Sequence, residues 1–455
     1  MKLMVKGVYR VALICKKEKL KDIAKKLIKE EVYEPKKVEK EYGGPYVDSS
    51  LIKGIGYENH IREALQKIGR KVNIAFKFDE MESIIIEVVE KIERLKKEGW
   101  KGKIDDVEMA KIWASLEYIE YLKLVKKVMD KDEKLDSFVL LEGWSDARGI
   151  EVLRGMLGKD IQVFEHIEDS RAPTKVENGN YWSVFDPLIE LYPPFKYGTI
   201  NISPIIGLSF LFIFGMMFAN IVDGTIVFLI TSVLFTRKKD KMYALGALMG
   251  LSSVAFGLVF EGCTLCGIQP FYPVFEEPIK FLVLVMGFAF IHQIIGNILG
   301  IANNLAIGER KDAAFRAMSV LIYVIAVGYV LGSEALMVGS GILALLLLLY
   351  SGLEKATEMP HILSHFISYA RIFAIGISHY TIVSVVGGLL QTFLGNGVVF
   401  IGSLLFAHFI VIFIEGIIAF VHTLRLCILE FGTKAVVSGD ASFTPIRFNK
   451  KHIEW

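Results

Sequence analysis

Residues 359–390 read MPHILSHFISYARIFAIGISHYTIVSVVGGLL, an apolar stretch that is long enough to cross a lipid bilayer as a helix. About 20 residues with a rise of 1.5 Å each are sufficient for that crossing. Arg371 lies well inside the stretch, and a guanidinium in hydrocarbon costs on the order of 3 kcal/mol even on the mildest scale. Deprotonation cannot relieve this cost, because arginine titrates only above about pH 12. We therefore interpret Arg371 as a residue on an ion pathway.

Titratable side chains accompany Arg371 on one side of the same predicted helix, at about 100° per residue. The alternative is an arginine paired with a buried carboxylate for packing alone. Small neighbours favour a site that a second helix can approach closely. The titratable residues are Glu358, His361, His365 and His379, and the small ones are Ala370, Ala374 and Gly376.

The last apolar stretch carries a second set of polar residues. His408, Glu415 and His422 recur every seven residues, so they form one stripe that drifts by only about 20° per repeat. Arg425 follows His422 by three residues. Intramembrane glutamate and histidine at such a spacing can pass protons or line water. A structural hydrogen-bond cluster that joins two helices is the alternative.

These two stretches resemble the membrane stator subunit of V-type and A-type rotary ATPases, called subunit a, or subunit I in archaea. SHFISYARIFAIGISH at 364–379 is similar to its signature helix, in which a serine–histidine pair precedes the essential arginine. The last helix of that family carries glutamate, histidine, arginine and glutamate at relative positions 0, 7, 10 and 15. The residues that match are Glu358, Ser364, His365, Arg371 and His379 on the first stretch, and Glu415, His422, Arg425 and Glu430 on the last.

The resemblance implies a role in rotary proton transport. Arg371 would face a rotating ring of proteolipid subunits, each with an ion-binding carboxylate, where two proton half-channels meet. Peripheral stalk subunits and a central-stalk subunit at the ring would be the other partners, with no cofactor. The implied proton path comprises Glu358, His365, His379, Glu415, His422, Arg425 and Glu430.

Composition divides the chain of 455 residues into two parts. Residues 1–195 are rich in lysine and glutamate, and residues 196–455 are dominated by apolar runs. The net charge of +2 does not suggest nucleic acid as a partner. The N-terminus has too short an apolar core for a signal peptide, so we expect the first part to stay in the cytoplasm.

The first part reads as a small α/β domain with a helical hairpin. A charged hairpin is typical of a solvated face, although it also suits docking of another helical protein. LLEGWSD at 140–146 and the stretch at 171–194 resemble the family's cytoplasmic arm, which is usually much longer. The predicted strands are 7–15, 72–78, 138–141 and 161–166, and the predicted helices are 19–31, 58–70, 81–98, 105–130 and 147–157.

The second part reads as a multi-pass helical membrane domain with about eight spans, of which the last two are long and tilted. Basic loops fall on the side of the N-terminus, so both termini, including a short C-terminal tail, are expected in the cytoplasm. The resemblance suggests a prokaryotic, archaeal cell membrane. FLFIFGMMFANIVDG at 210–224 also resembles the family's first-helix motif, with an altered ending. The predicted spans are centred on 203–219, 222–236, 242–260, 280–301, 317–332, 335–351, 361–390 and 397–433.

Other readings stay open at this stage. We predict that Cys263 and Cys266 are either free thiols or joined in a local disulfide. Cys15 and Cys427 are interpreted as apolar side chains that fill space in the core. No G-x-x-x-x-G-K-[ST] motif occurs, so the chain is not an enzyme by itself and other subunits would handle ATP. A secondary ion transporter would need repeated halves with broken helices, and a non-transporting membrane anchor would not need buried charges.

Overall fold

A computed structural model of the chain forms two compact units. The first, here called the sheet unit, comprises Gly7–Lys175 and Ala441–Trp455. The second, here called the apolar unit, comprises Met1–Lys6 and Val176–Asp440. The residues that the structure describes are 6–16, 19–35, 55–70, 72, 74–98, 100, 104–129, 132–135, 138–157, 162–166, 172–176, 178–179, 181–262, 269–272, 277–394, 398–448 and 451–454. Cys263 and Cys266 lie outside these described residues.

The sheet unit is built on an antiparallel sheet with β2 and β6 at its centre. They pair along their full length, from Tyr9 opposite Ser145 to Lys16 opposite Phe138. β7 pairs with the free side of β2, while β3 and β5 both pair with β6. The strand bounds are β1 (Lys6–Gly7), β2 (Tyr9–Lys16), β3 (Glu34–Pro35), β4 (Phe76–Lys77), β5 (Asp132–Leu135), β6 (Phe138–Ser145), β7 (Gln162–His166), β8 (Thr174–Lys175) and β9 (Ile453–Glu454).

A glycine in β6 explains part of the LLEGWSD motif. A Cβ at Gly143 would lie 2.3 Å from the ring of Tyr33 and 2.5 Å from the carbonyl oxygen of Glu34. Tyr33 is almost fully buried, at 1% exposure. Only glycine therefore allows β3 to pair at this point, because any side chain would displace the tyrosine.

Five helices cover this sheet and close its core. The third and fourth of these helices form the predicted hairpin. Ion pairs bridge it at Lys111–Glu87, 2.7 Å, and Lys91–Glu108, 2.9 Å. Its buried faces carry isoleucine, valine and leucine at helical spacing, as an amphipathic pair requires. The helices are α1 (Leu20–Glu30), α2 (Glu58–Ile68), α3 (Met81–Lys97), α4 (Asp106–Met129) and α5 (Ala147–Leu157).

The C-terminal segment belongs to the sheet unit and contributes to its core. β9 pairs in parallel with β4, with Phe76 opposite Ile453. Ile446, Phe448 and Ile453 are buried against the helical hairpin. The strand predicted at 72–78 is short in the structure, since among the described residues of that range Phe76–Lys77 is the part that pairs, and a 3₁₀ turn follows at Phe78–Glu80.

From Val176 to Asp440, the described regular structure of the apolar unit is helical. Six helical segments within the described residues are long and apolar enough to cross a membrane, which confirms a multi-pass helical protein. Ser203–Met217 is a shorter apolar helix. The helices are α6 (Asp186–Ile189), α7 (Ser203–Met217), α8 (Ile221–Lys238), α9 (Lys241–Phe260), α10 (Pro278–Ala306), α11 (Arg310–Val330), α12 (Glu334–Ser351), α13 (Met359–Ile367), α14 (Ala370–Leu394), α15 (Val398–Arg425) and α16 (Thr433–Ala435).

The two stretches that carry the predicted site are not regular helices. α13 ends at Ile367 and α14 begins at Ala370, so the expected single helix is interrupted just before Arg371. Backbone bonds of the tighter 3₁₀ type span this break, including Arg371 N to Ser368 O at 3.3 Å. The last stretch widens instead into a π-helix at Leu426–Gly432. Neither the 3₁₀ break nor the π-helix can be predicted from the apolar pattern, because both segments are as hydrophobic as a regular spanning helix.

Exposed apolar side chains cover α14 and α15 outside the polar site. Phe393 is 80% exposed and Phe406 65% exposed. Such surfaces are expected where a helix meets lipid or another membrane protein.

Candidate functional site

Arg371 lies in the first turn of α14 and is half-buried. Its Nη1 atom is buried and has no hydrogen-bond partner among the described residues. Arg425 and Glu430 are close enough for their charges to act on it. No ion pair within 4.0 Å joins Arg371 to a described carboxylate, so the packing alternative of a paired arginine does not fit this geometry.

Four side chains form a buried histidine–carboxylate chain that connects three helices. Nδ1 of His379 lies 2.5 Å from Oε2 of Glu415, and its Nε2 lies 3.7 Å from Oδ2 of Asp223. The other carboxylate oxygen of Asp223 lies 2.6 Å from Nδ1 of His408. Asp223 is fully buried, and His379 is 1% exposed. This histidine–carboxylate chain therefore alternates acid and imidazole, and each of its side chains can accept a proton from its neighbour and release it.

Helix capping fixes the position of Asp223 in the first turn of α8. The N-cap residue Asn220 accepts a hydrogen bond from the Asp223 backbone N–H at 2.9 Å. The hydroxyl of Ser253 on α9 donates to the Asn220 carbonyl oxygen at 3.1 Å. A Cβ at Gly224 would meet that serine at 2.7 Å to its Oγ, so the glycine permits the close contact of the two helices.

A second polar group, here called the Glu430 cluster, comprises Ser368, Glu430, Gln293 and Lys434. The Ser368 hydroxyl donates to Oε1 of Glu430, and Lys434 Nζ donates to Oε1 of Gln293. The Gln293 amide donates to the Glu430 backbone carbonyl at 3.4 Å. Glu430 is 2% exposed, and its Oε2 has no hydrogen-bond partner among the described residues. This cluster holds a buried carboxylate between α10, the α13–α14 turn and the π-helix.

Arg371 and Arg425 separate the two polar groups along the helices. His379 follows Arg371 by eight residues on α14, which is about 12 Å of helix rise. Ser368 precedes Arg371 by three residues. On the last stretch, Glu415 precedes Arg425 by ten residues and Glu430 follows it by five. The unpaired guanidinium thus lies between acids approached from opposite ends.

The remaining predicted residues are less tightly connected. Glu358 pairs with Lys355 at 3.2 Å, and the same lysine also pairs with Asp312 at 3.0 Å. The ring of His365 lies 6.3 Å from that of His361. Nδ1 of His422 is buried without a hydrogen-bond partner in the described part of the chain. The helix break at 368–369 also means that residues before it do not share a straight helix face with Arg371.

Some contacts of the site follow from a periodic pattern in the sequence, and others do not. The seven-residue stripe does bring His408 and Glu415 onto one face, since both bond to groups on the same side of α15. The sequence indicates Asp223 only as part of an altered motif ending, although an aspartate that opens an apolar run is itself a signal. Nothing in the sequence pattern indicated Ser368, Gln293 and Lys434 as a cluster. No group of three or more histidine, cysteine, aspartate or glutamate side chains could hold a metal ion within the described residues.

Comparison with known proteins points to one group of relatives, although no protein-family model matches the chain. The A-type ATP synthase subunit I of Methanocaldococcus jannaschii is 23% identical over 392 residues, which cover 70% of this chain and 56% of that protein. Subunit I of Methanothermobacter thermautotrophicus is 22% identical over 352 residues, or 68% and 51% of the two chains. Subunit I of Pyrococcus horikoshii is 24% identical over 368 residues, or 69% and 56%.

The chain spans a little over half the length of these curated relatives. The similarities support its assignment as a relative of subunit I. Together with the six apolar segments, they support a multi-pass archaeal membrane protein.

Proposed function

We propose that this chain, a relative of archaeal A-type ATP synthase subunit I, is the membrane stator subunit of a proton-translocating rotary ATPase. It would form two proton half-channels and face a rotating proteolipid ring. The observation that carries this proposal is the buried Nη1 of Arg371, which has no partner among the described residues and lies along the helices between Glu430 and Glu415. A half-buried cation that pairs with no described acid of its own chain suits an acid from another polypeptide.

One half-channel would use the histidine–carboxylate chain. A proton would pass along His408, Asp223, His379 and Glu415, each within 4 Å of the next. Imidazole suits this relay because its two ring nitrogens can accept and donate on opposite sides. His422 would continue the route toward the two arginines, since the charges of both act on it.

The other half-channel would use the Glu430 cluster and the residues before the helix break. Glu358 is about half exposed at its side chain, so it suits the entrance, while the buried Glu430 suits the inner end. In the sequence, His365 lies between Glu358 and Glu430. The two routes do not join through described hydrogen bonds, because Arg371 and Arg425 lie between them. A fixed cation there would prevent protons from crossing without the rotor.

The exchange step follows from the charge on Arg371. A rotor carboxylate that receives a proton becomes neutral and can turn through lipid. When it returns to the guanidinium, an ion pair at 4 Å with an effective dielectric of about 20 is worth roughly 4 kcal/mol. That is about a thousandfold change in proton affinity, which favours release into the other half-channel.

The wider architecture belongs to the same proposal. About eight spans, with the last two long and tilted, would place both termini in the cytoplasm of an archaeal cell. Residues 1–195 would act as a stalk-binding arm, and residues 196–455 as the proton-channel domain with a short tail. The partners would be the proteolipid ring, the peripheral stalk subunits, the central-stalk subunit at the ring and membrane lipid. ATP would be handled by other subunits, so this chain would not be an enzyme by itself.

Replacement of the arginine tests the proposal. The complex, purified through this chain and reconstituted in vesicles, is expected to pump protons when ATP is added. Arg371→Ala should abolish pumping while the ring still co-purifies. The control is Arg310→Ala, at the exposed start of α11, which should leave pumping intact.

Two results would contradict the proposal. ATP-driven pumping by the Arg371→Ala complex would remove the arginine from the mechanism. Ion transport by the purified chain alone, with no co-purifying ring or ATP-binding subunits, would instead support a secondary transporter.

A further inference from the structure

We propose that Ser368 is a positioning residue: its hydroxyl retains the Glu430 carboxylate and thereby keeps the Arg371 guanidinium available to the rotor. This inference rests on the proposed function, because it assigns a role within the same site. It concerns a competition inside the chain, in which Glu430, an acid whose charge acts on Arg371, could pair with the arginine in place of the rotor carboxylate.

Glu430 interacts with the charges of two cations but forms a hydrogen bond or ion pair with neither. The charges of both Arg371 and Lys434 interact with it. Lys434 Nζ nevertheless donates to Oε1 of Gln293, and Arg371 forms no ion pair within 4.0 Å with a described acid. The side-chain donor that reaches Glu430 is the Ser368 hydroxyl.

Two irregular helix segments create this contact. Ser368 lies in the turn between α13 and α14, where Tyr369 N bonds to Phe366 O at 3.2 Å in the tighter 3₁₀ pattern. Glu430 lies in the π-helix at Leu426–Gly432, which holds an extra residue per turn. An extra residue rotates the following side chains by about 100° relative to a regular α-helix. The contact therefore depends on both irregularities, which meet through this one hydrogen bond.

Removal of the hydroxyl would leave two unsatisfied groups of opposite charge near each other. Glu430 would then lack a donor at both carboxylate oxygens, and Nη1 of Arg371 already lacks an acceptor. A buried charge without a partner is unfavourable, so the carboxylate and the guanidinium would pair. The pair would hold the arginine away from the rotor and slow every exchange step without unfolding the chain.

ATP-driven proton pumping by the reconstituted complex tests the role of the hydroxyl. Ser368→Ala should lower the pumping rate at least tenfold with the ring still bound, and Ser368→Thr, which keeps the hydroxyl, should stay close to the parent rate. Ser384→Ala, an exposed position on α14 that points away from Arg371, is the matched control. If Ser368→Ala does not assemble, Ser368→Cys replaces it, because a thiol fills the same space and donates more weakly.

The decisive comparison uses Glu430→Gln, which cannot form the competing ion pair. Glu430→Gln itself lowers pumping, because Glu430 belongs to the proposed half-channel, so the comparison uses its residual rate. Ser368→Ala should not lower that residual rate further, and the double variant should match Glu430→Gln alone. Multiplied losses in the double variant, or parent-like pumping by Ser368→Ala, would overturn the inference. Either result leaves the proposed function standing if Arg371→Ala still abolishes pumping, so the two failures are distinguishable.

Discussion

Nδ1 of His379 lies 2.5 Å from Oε2 of Glu415, and this contact joins α14 to α15 eight residues beyond Arg371. The opposite nitrogen of the same ring faces Asp223 at 3.7 Å. An imidazole between two acids can take a proton on one side and release one on the other. The contact is thus both a structural link between helices and the central step of the proposed relay.

Replacement of Glu415 by glutamine is the most direct test of that relay. The amide keeps the shape of the side chain but cannot carry the proton, so we expect ATP-driven pumping to fall at least tenfold. Proton uptake by reconstituted vesicles, followed with a pH-sensitive dye, measures it. Glu334→Gln, at the exposed start of α12, is the matched control and should pump normally. Pumping by Glu415→Gln above half of the parent rate would exclude Glu415 as an essential carrier.

The sequence predicts that Glu415 and His408 share one helix face because their spacing is periodic. Glu415 and His408 recur at seven residues, and that spacing survives in a regular helix such as α15. Ser368 and Glu430 could not be paired in the same way. Their contact depends on a 3₁₀ break and a π-helix, and neither changes the hydrophobic pattern from which helices are read.

Glu261 supplies a pH-dependent prediction just beyond the end of α9. Burial, with a smaller contribution from the Asp223 charge, raises the pKa of Glu261 to about 7. A carboxyl whose folded pKa exceeds its unfolded value stabilises the protein fully below about pH 4.5, and that stabilisation is lost as the pH rises through about 7. We therefore expect Glu261→Gln to raise the melting temperature in detergent at pH 8, relative to the parent chain.

The pKa shift of Glu261 sets an upper limit on the stability gain of Glu261→Gln. A rise of the pKa from 4.5 to about 7 corresponds to at most about 3 kcal/mol between the two protonation states. The advantage of Glu261→Gln should shrink as the pH is lowered from 8 to 5. Glu277→Gln, an exposed acid that pairs with Lys280 at 2.6 Å, serves as the control and should show no such gain. An unchanged difference between pH 5 and pH 8 would contradict the assignment.

Glu117 binds the C-terminal segment to the rest of the sheet unit through hydrogen bonds. Its Oε2 accepts the backbone N–H groups of Lys451 at 3.0 Å and His452 at 2.9 Å, and its Oε1 lies 2.8 Å from His452 Nδ1. Glu117→Ala would leave these donors without an acceptor, so we expect a loss of about 2–4 kcal/mol in the stability of that contact. Limited proteolysis of the full chain should then cleave the C-terminal segment faster.

Glu120 provides the comparison for this change. It lies on the same helix but is exposed, and its nearest cation is Arg62 at 4.0 Å. Glu120→Ala should therefore change stability by no more than about 0.5 kcal/mol and leave the cleavage rate unaltered. Equal cleavage of the two variants would show that Glu117 does not hold the segment.

Local patterns account for the helices of the sheet unit, while its strand pairing required the structure. The helix predicted at 81–98 appears as Met81–Lys97, because its buried positions follow helical spacing. β9 could not be foreseen, since Ile453 pairs with Phe76 across most of the chain and two residues carry no periodic signal. A pairing this remote is decided by tertiary packing, not by local sequence preference.

Small residues on α14 were predicted to allow close approach of another helix, and two of them face different surroundings. A Cβ at Gly376 would lie 2.9 Å from the Phe281 ring and 3.1 Å from the Met216 carbonyl oxygen, so the close approach there is to helices of this chain. Ala374 is exposed and projects within about 60° of Arg371. Its small size is therefore free to serve an outside partner, which the proposed function identifies as the rotor.

Substitution by leucine at Gly376 and at Ala374 tests packing within the chain and contact with the rotor separately. Gly376→Leu should lower the stability of the chain by at least about 1–3 kcal/mol, because leucine cannot fit between Phe281 and α14 without backbone shifts. Ala374→Leu should leave the melting temperature of the chain unchanged but weaken binding of the ring or slow pumping at least tenfold, because the added volume lies where the rotor would pass. Thermal unfolding in detergent and pumping in vesicles, measured on both variants, decide the matter. Normal pumping by Ala374→Leu would mean that this face of α14 meets lipid, and the rotor surface would then have to lie elsewhere.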